Sequence, residues 1–188
     1  MSINWEEQWA LFAPNFHEGH AHIELQNGRT LKLKPGPGFG DLSHPTTRLC
    51  LSLLEKHVTK KTCLLDIGCG SGILSLASSL LGAKATHGID IDEGALIHAR
   101  LNKQTNHLST VHFSKTLPQN FLPNLIIMNM IESEQRCAWN YKFQDALVIT
   151  SGILNTQRSH YLQLTTSWGW TLLSEQSEAS WLSFVFAS

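Results

Sequence analysis

Gly68-Cys69-Gly70-Ser71-Gly72 sets three glycines at alternate positions, directly after the short apolar run Cys63–Ile67. Glycine turns the backbone tightly and lets it lie close to a ligand. The apolar run reads as a buried strand, and Gly72–Leu81 reads as a helix stopped by Gly82. A helix beginning there presents N–H groups and the positive end of its dipole to a carboxylate or phosphate. The next strand-like run, Thr86–Ile91, carries Gly88-Ile89-Asp90. A carboxylate at that place can accept hydrogen bonds from both hydroxyls of a ribose. In a dinucleotide fingerprint, G-x-G-x-x-G, the third glycine would fall on Ile73. Here Asp66, Gly68, Gly70 and Gly72 spell D-x-G-x-G-x-G.

The elements needed to hold this loop are legible along the chain. Pro45 suits the first turn of a helix to about His57, with Leu49, Leu53 and Leu54 on its apolar face. Glu93–Gln104 reads as a helix with Asp92 and Glu93 favourable at its start. Thr110–Phe113, Leu125–Met130 and Ala146–Thr150 read as strands, and a helix follows around Asn155–Ser167. Gly169–Ser174 and Ser180–Phe186 read as a final antiparallel pair. Strands alternating with helices predict an α/β fold: a mostly parallel, doubly wound sheet with helices on both faces. Residues 1–40 differ and read as an N-terminal extension ahead of a domain over 41–188. Trp5, Trp9 and Phe12 at i, i+4, i+7 predict a short helix over 4–12. Asn27-Gly28 between Ala21–Leu25 and Thr30–Leu33 predicts a β-hairpin. Lys34–Gly40 is too rich in Pro and Gly for a regular element.

Length and composition bound the function classes. The 188 residues make one domain's worth of core, and 42% hydrophobic content argues against disorder. A formal net charge of -1 gives no general electrostatic reason to bind nucleic acid. No apolar run approaches the roughly 20 residues that span a bilayer. The polar, acidic start Met1-Ser-Ile-Asn-Trp-Glu-Glu7 is not a secretory signal. Cys50, Cys63, Cys69 and Cys137 show no Cys-x-x-Cys spacing and read as free thiols, so a cytoplasmic location is expected.

The D-x-G-x-G-x-G loop resembles motif I of the class I S-adenosylmethionine-dependent methyltransferases. Gly38-Phe39-Gly40-Asp41-Leu42-Ser43-His44-Pro45-Thr46-Thr47 resembles the AFGTGTHPTT segment of the ribosomal protein L11 methyltransferases (PrmA). Asn129-Met130-Ile131 resembles that family's ANIL segment, and Ser151-Gly152-Ile153-Leu154 matches its SGIL. Trp5-Glu6-Glu7-Gln8-Trp9 resembles its WEREW run. The resemblance implies a Rossmann-like, seven-stranded mixed sheet with a reversed last strand. It implies S-adenosylmethionine as cofactor, contacted at Thr47, Gly68, Asp90 and Asn129, and methyl transfer to an amine of a protein, a ribosomal protein in that family. Gly70 and Gly72 complete the loop. Asp66 would fix it or meet the cofactor's amino group through water, and Phe39 would cover the cofactor or anchor its own loop. Asn129, at the C-terminal end of a strand, is the catalytic candidate: its side-chain carbonyl can orient an amine N–H. The family carries a further N-terminal domain that grips the substrate, and this chain aligns with the catalytic domain only. The loop Asp41-Leu42-Ser43 also departs from the family's Thr-Gly-Thr.

Two other readings stay open at this level. One is methylation of a nucleic-acid base or a small molecule, although Met130-Ile131-Glu132 lacks the N-P-P-[YF] tetrad of base methyltransferases. The other is a degenerate cofactor-binding interaction module. His44 is a pocket residue or a helix cap. Glu132 and Glu134 receive a cationic substrate or form a solvated patch. Trp139 and Tyr141 line a substrate wall or pack a helix. His17-Glu18-Gly19-His20-Ala21-His22 is not H-E-x-x-H and reads as plain surface histidines, with no metal expected.

Overall fold

The computed structural model describes residues 4–13, 15–139, 143 and 145–188; Tyr141 lies outside them. The chain runs α1 (Trp5–Phe12), β1 (Phe16–His17), β2 (His20–Glu24), β3 (Thr30–Leu33), α2 (Pro45–His57), β4 (Cys63–Ile67), α3 (Ile73–Leu81), β5 (Ala85–Ile89) and α4 (Glu93–Thr105). It continues with β6 (Val111–Ser114), β7 (Leu125–Asn129), α5 (Glu132–Ala138), β8 (Leu147–Leu154), a 3-10 turn (Asn155–Gln157), α6 (Arg158–Ser167), β9 (Thr171–Glu178) and β10 (Trp181–Ala187). No helix among the described residues is long and apolar enough to cross a membrane.

The main sheet has seven strands in the order β6-β5-β4-β7-β8-β10-β9. β10 pairs antiparallel with both β8 and β9, so it alone runs against the other strands. Alternation along each strand divides the core. Leu64, Leu125, Ile127, Ile149 and Val185 face α2 and α3; Leu65, Ile67, Ile126, Met128, Val148, Phe184 and Phe186 face α6. Because both faces are covered, the strands read as continuous apolar runs in the sequence.

The N-terminal residues form a three-stranded antiparallel sheet, β1-β2-β3, whose inner side chains join the α2/α3 core. Trp9, Ile23, Leu31 and Leu33 pack there with Leu54, Leu76 and Leu96. The open edge of β3 is closed by side chains of α4. Asn106 accepts from Lys32 N–H at 2.9 Å and donates to Lys32 C=O at 2.6 Å, and Asn102 accepts from Lys34 N–H at 2.8 Å. An edge sewn in this way offers no free ladder to another strand.

Some details differ from expectation. β5 ends at Ile89, and Ile91 is 93% exposed rather than strand-bound. β8 does not stop at Thr150 but runs on through Gly152 to Leu154, paired with β10. α5, which lacks an apolar stripe, had no signal in the sequence. β1 is two residues long and falls below any periodicity test.

Candidate functional site

The C-terminal ends of β4, β5 and β7 open into a cleft of about 810 Å³, lined by Gly68, Gly70, Asp90, Asn129, Phe39 and His44 among others. Crevices at these strand ends are where open α/β sheets take ligands, and the volume lies in the range of about 300–1,000 Å³ typical of small-molecule sites.

The glycine loop is shaped by its neighbours as much as for a ligand. Gly68, Gly70 and Gly72 all have positive φ, at 74°, 55° and 81°. A Cβ on Gly70 would come within 2.6 Å of the Phe39 carbonyl, and one on Gly72 within 2.8 Å of the Phe113 ring. Gly72 therefore stands behind the cleft as the left-handed residue that starts α3, while Gly68 and Gly70 line it. The expectation that α3 offers free N–H groups is not met at two of them. Ile73 N–H donates to Ser71 Oγ at 3.3 Å, and Ser75 N–H donates to Asp66 Oδ2 at 3.1 Å. Buried N–H groups must find partners, and here the protein supplies them.

Asp66 supplies the second of these partners, from beneath the loop. It is fully buried, accepts also from Ser75 Oγ at 2.7 Å, and is not part of the cleft wall. Burial pushes its carboxyl up to about 7, against the lowering effect of the two Ser75 hydrogen bonds. Burial also pushes up the Cys69 thiol, with Asp66 and Asp90 adding to it, which is the opposite of what a nucleophilic cysteine needs.

Asp90 stands at the cleft edge. Oδ2 accepts from Gly70 N–H at 2.9 Å and Oδ1 from Asp92 N–H at 3.0 Å. Each oxygen keeps capacity for a further donor. Asp92 itself caps α4 by accepting from Gly94 N–H at 2.8 Å, the helix-start role its position implied.

Asn129, the last residue of β7, lines the cleft and donates through Nδ2 to Thr47 Oγ1 at 3.4 Å. Its Oδ1 is then the acceptor left over. Thr47 is fully buried behind Asn129, and its neighbour Thr46 reaches the cleft instead. His44 caps α2, accepting at Nδ1 from Thr46 N–H at 3.3 Å, and lies edge-on between Phe39 (5.6 Å between ring centroids) and Trp181 (5.0 Å). Burial, then the charge of Arg48, holds its imidazole below the ordinary range, with Asp41 opposing. Phe39 is half-exposed on that wall. Arg48 fixes the divergent 41–43 loop: its guanidinium donates to the Leu42 and Ser43 carbonyls at 2.6 and 2.7 Å and to Glu178 at 2.5 Å. Glu134 lines the cleft, whereas Glu132 turns away to Arg136 at 2.6 Å and His160 at 3.2 Å. Trp139 packs edge-on against Trp170 at 4.6 Å, the packing alternative of its two readings.

Sequence reasoning missed three supports. Trp181 comes from the last strand, beyond any local motif. Gln135, fully buried, donates through Nε2 to the carbonyls of Met130 (2.7 Å) and Ser151 (3.0 Å) and accepts at Oε1 from Tyr161 O–H at 2.5 Å. It ties the ends of β7 and β8 together. His98 on α4 accepts at Nδ1 from Gly38 N–H (3.1 Å) and bonds through Nε2 to the Lys34 carbonyl (2.7 Å). The Lys34–Gly38 strap that it holds passes over the glycine loop, where Ser71 N–H donates to Phe39 C=O at 2.9 Å. The i, i+4, i+8 spacing of His98, Asn102 and Asn106 is a signal present in the sequence: it puts all three on one face of α4.

Comparison with known proteins places this geometry. The sequence model of the family described as ribosomal protein L11 methyltransferase (PrmA) matches residues 10–188. A ribosomal protein L11 methyltransferase of Staphylococcus haemolyticus (strain JCSC1435) is 30% identical over 203 residues, covering 97% of this chain and 64% of the relative. One of Anoxybacillus flavithermus (strain DSM 21510 / WK1) is 35% identical over 166 residues, covering 82% of this chain and 52% of the relative. The chain thus spans between half and two thirds of the length of these relatives. Among solved structures, a ribosomal protein L11 methylase from Lactobacillus delbrueckii subsp. bulgaricus superposes with a TM-score of 0.77 at 24% identity, covering 88% of each chain. A tRNA m1G37 methyltransferase of M. jannaschii shares the fold more distantly, with a TM-score of 0.67 at 17% identity, covering 92% of this chain and 57% of that one. The fold is that of the class I methyltransferases, and the chain belongs to the ribosomal protein L11 methyltransferase (PrmA) family.

Proposed function

We propose that this chain binds S-adenosylmethionine in the β4/β5/β7 cleft and directs its methyl group to an amine nitrogen of a protein, a ribosomal protein as in the names of its relatives, in the cytoplasm. The observation that carries the reading is the union, in one cleft, of the Gly68–Gly70 backbone, the Asp90 carboxylate and Asn129 at three neighbouring strand ends. The donor set fits the cofactor. Asp90 has acceptor capacity for ribose hydroxyls, Gly68 and Gly70 leave room for the methionine part, and Ile91 and Ala95 give apolar area for a purine. Gly72, Asp66 and Thr47 act from behind, holding the loop and Asn129.

When bound, the cofactor supplies a methyl carbon on a positively charged sulfur; the amine lone pair forms the N–C bond, and the C–S pair stays on sulfur. The protein's part is orientation and exclusion of water. Asn129 Oδ1 accepts from an amine N–H and aims the lone pair. Phe39, His44 and Trp181 wall the cleft on one side. Asp90, Asp92 and Glu134 outweigh Lys115 along the lining and favour cationic partners. An amine with an ordinary pKa of about 10.4 loses its proton more readily beside a sulfonium.

The test uses methyl-labelled cofactor, the purified full chain and ribosomal proteins from cells lacking it. Label on one ribosomal protein is expected, with Asp90→Ala weakening cofactor binding at least tenfold in calorimetry. Unchanged affinity in that variant removes the assigned ribose contact. Label on RNA or on a metabolite moves the substrate to another class.

A further inference from the structure

The N-terminal sheet carries a cluster that the cleft does not use. In the β1/β2 register His17 stands opposite His20, and His22 follows His20 by two residues, so all three belong to one face of the sheet. The His17 and His22 rings stack at 3.7 Å between centroids. One ligand atom from each of His17, Glu18 and His22 lies within 4.8 Å of the others. His22 is not the surface histidine its sequence suggested: it is 8% exposed, and its Nδ1 is buried with no hydrogen-bond partner among the described residues. A buried nitrogen left without a partner costs free energy, and a bound cation removes that cost.

We propose that this face is a binding site for a divalent transition metal of the zinc, nickel or copper class, held by His17, His22 and Glu18. The chemistry selects the class: neutral imidazole nitrogens suit these ions, whereas magnesium and calcium need a cage of oxygens. Bonds of about 2.0–2.1 Å in a tetrahedral site put ligand atoms about 3.3 Å apart. His17 and Glu18 are both exposed, so rotation of their side chains closes the remaining distance while buried His22 stays fixed. His20, edge-on to His22 at 6.3 Å, stands next in line as a fourth ligand, though its Nδ1 now bonds to the Glu18 carbonyl at 2.8 Å. Lys32 lies opposite His22 on β3, and Glu24, two residues after His22, lies opposite Thr30. The site is independent of the cleft, and its metal would clip β1 onto β2 at the start of the fold.

The experiment is a zinc titration of the metal-stripped full chain against a chromophoric chelator, in a Cys137→Ser background because that thiol is exposed. One zinc per chain with a dissociation constant below about 10 µM is expected, and 100-fold excess zinc should raise Tm by mass action. His17→Ala should weaken binding at least tenfold and Glu18→Gln severalfold; both residues are exposed, so neither variant threatens the fold. His112→Ala, outside the cluster, should leave binding unchanged. No stoichiometric zinc below 100 µM, or equal affinity in His17→Ala and the parent, overturns the proposal.

Discussion

Replacing His98 tests whether the cleft wall is held from α4. The imidazole is 3% exposed and satisfies two backbone groups of the Lys34–Gly38 strap at once. The strap has closed tightly on it: a Cβ on Gly36 would sit 2.5 Å from the ring. His98→Leu orphans the Gly38 N–H and the Lys34 carbonyl. At about 1–3 kcal/mol for each buried group left unpaired, the loss is about 2–6 kcal/mol. That is a large part of the roughly 5–15 kcal/mol that holds a domain together. Because Pro37, Gly38 and Phe39 line the cleft, cofactor affinity should fall with it. pH supplies a second reading of the same bond. Burial holds the His98 imidazole below its ordinary 6.5, with the Lys34 hydrogen bond opposing. The folded state therefore prefers the neutral ring, and the unfolded state binds the extra proton first. Stability from this group is complete above pH 6.5 and declines as the pH falls below it, by at most about 1.4 kcal/mol per unit. Urea unfolding of wild type and His98→Leu at pH 7.5 and 5.5 should show the gap between them narrowing at the lower pH. A variant as stable as wild type, or a gap that does not change with pH, refutes the reasoning.

Asp66 has the opposite slope. Its carboxyl is raised to about 7, so the native state keeps a proton that the unfolded chain gives up near 4, and stability falls as pH rises through that window. Asp66→Asn, which keeps an acceptor for Ser75, should gain on wild type between pH 5 and 7 in the same unfolding assay; a constant difference would show that the carboxyl stays charged. Gln135→Leu strips partners from Met130, Ser151 and Tyr161, and should cost at least about 3 kcal/mol in denaturation; a loss under 1 kcal/mol would mean that these groups find others. Gly152→Ala meets both a φ of +95° and the Met130 carbonyl 2.3 Å from its new Cβ. Its cost should exceed about 2 kcal/mol, read as a fall in Tm, and an unshifted Tm would contradict the close approach.

The parts of the fold that sequence made plain are those whose causes are local. Asn27-Gly28 announces its hairpin, Pro45 its helix, and the apolar run before Gly68 its buried strand, because each depends on residues within a few positions. The expected strand stops at Thr150, whereas β8 runs on to Leu154. Gly152 in that continuation admits the carbonyl of Met130, the residue just past β7, a fact of tertiary contact. β9 runs to Glu178, beyond the expected Gly169–Ser174, because its side chains are mostly exposed and no alternation marks its length. Within the site, the loop and Asp90 follow from a motif. Which residues face the cleft does not, since Thr46 and Thr47 are separated only by the helix's rotation. The roles of Gln135, His98 and Trp181 come mainly from partners far along the chain: Ser151 and Tyr161 for Gln135, Lys34 and Gly38 for His98, and His44 for Trp181.

The reversed β10 has a consequence for the order in which the cleft comes into being. In a strand parallel to its neighbours, the residue at the cleft would be the strand's last. In β10 it is the first, Trp181, level with Leu154 at the far end of β8. A polypeptide made from its N-terminus has already presented Pro37, Gly70, Asp90, Asn129 and Gly152 when Trp181 arrives, the latest of all the wall residues. The aromatic wall cannot close until then. Ligand binding that needs this wall therefore cannot assist the early folding of a nascent chain, and the glycine loop must be held in the meantime by Asp66, the strap and α4 alone.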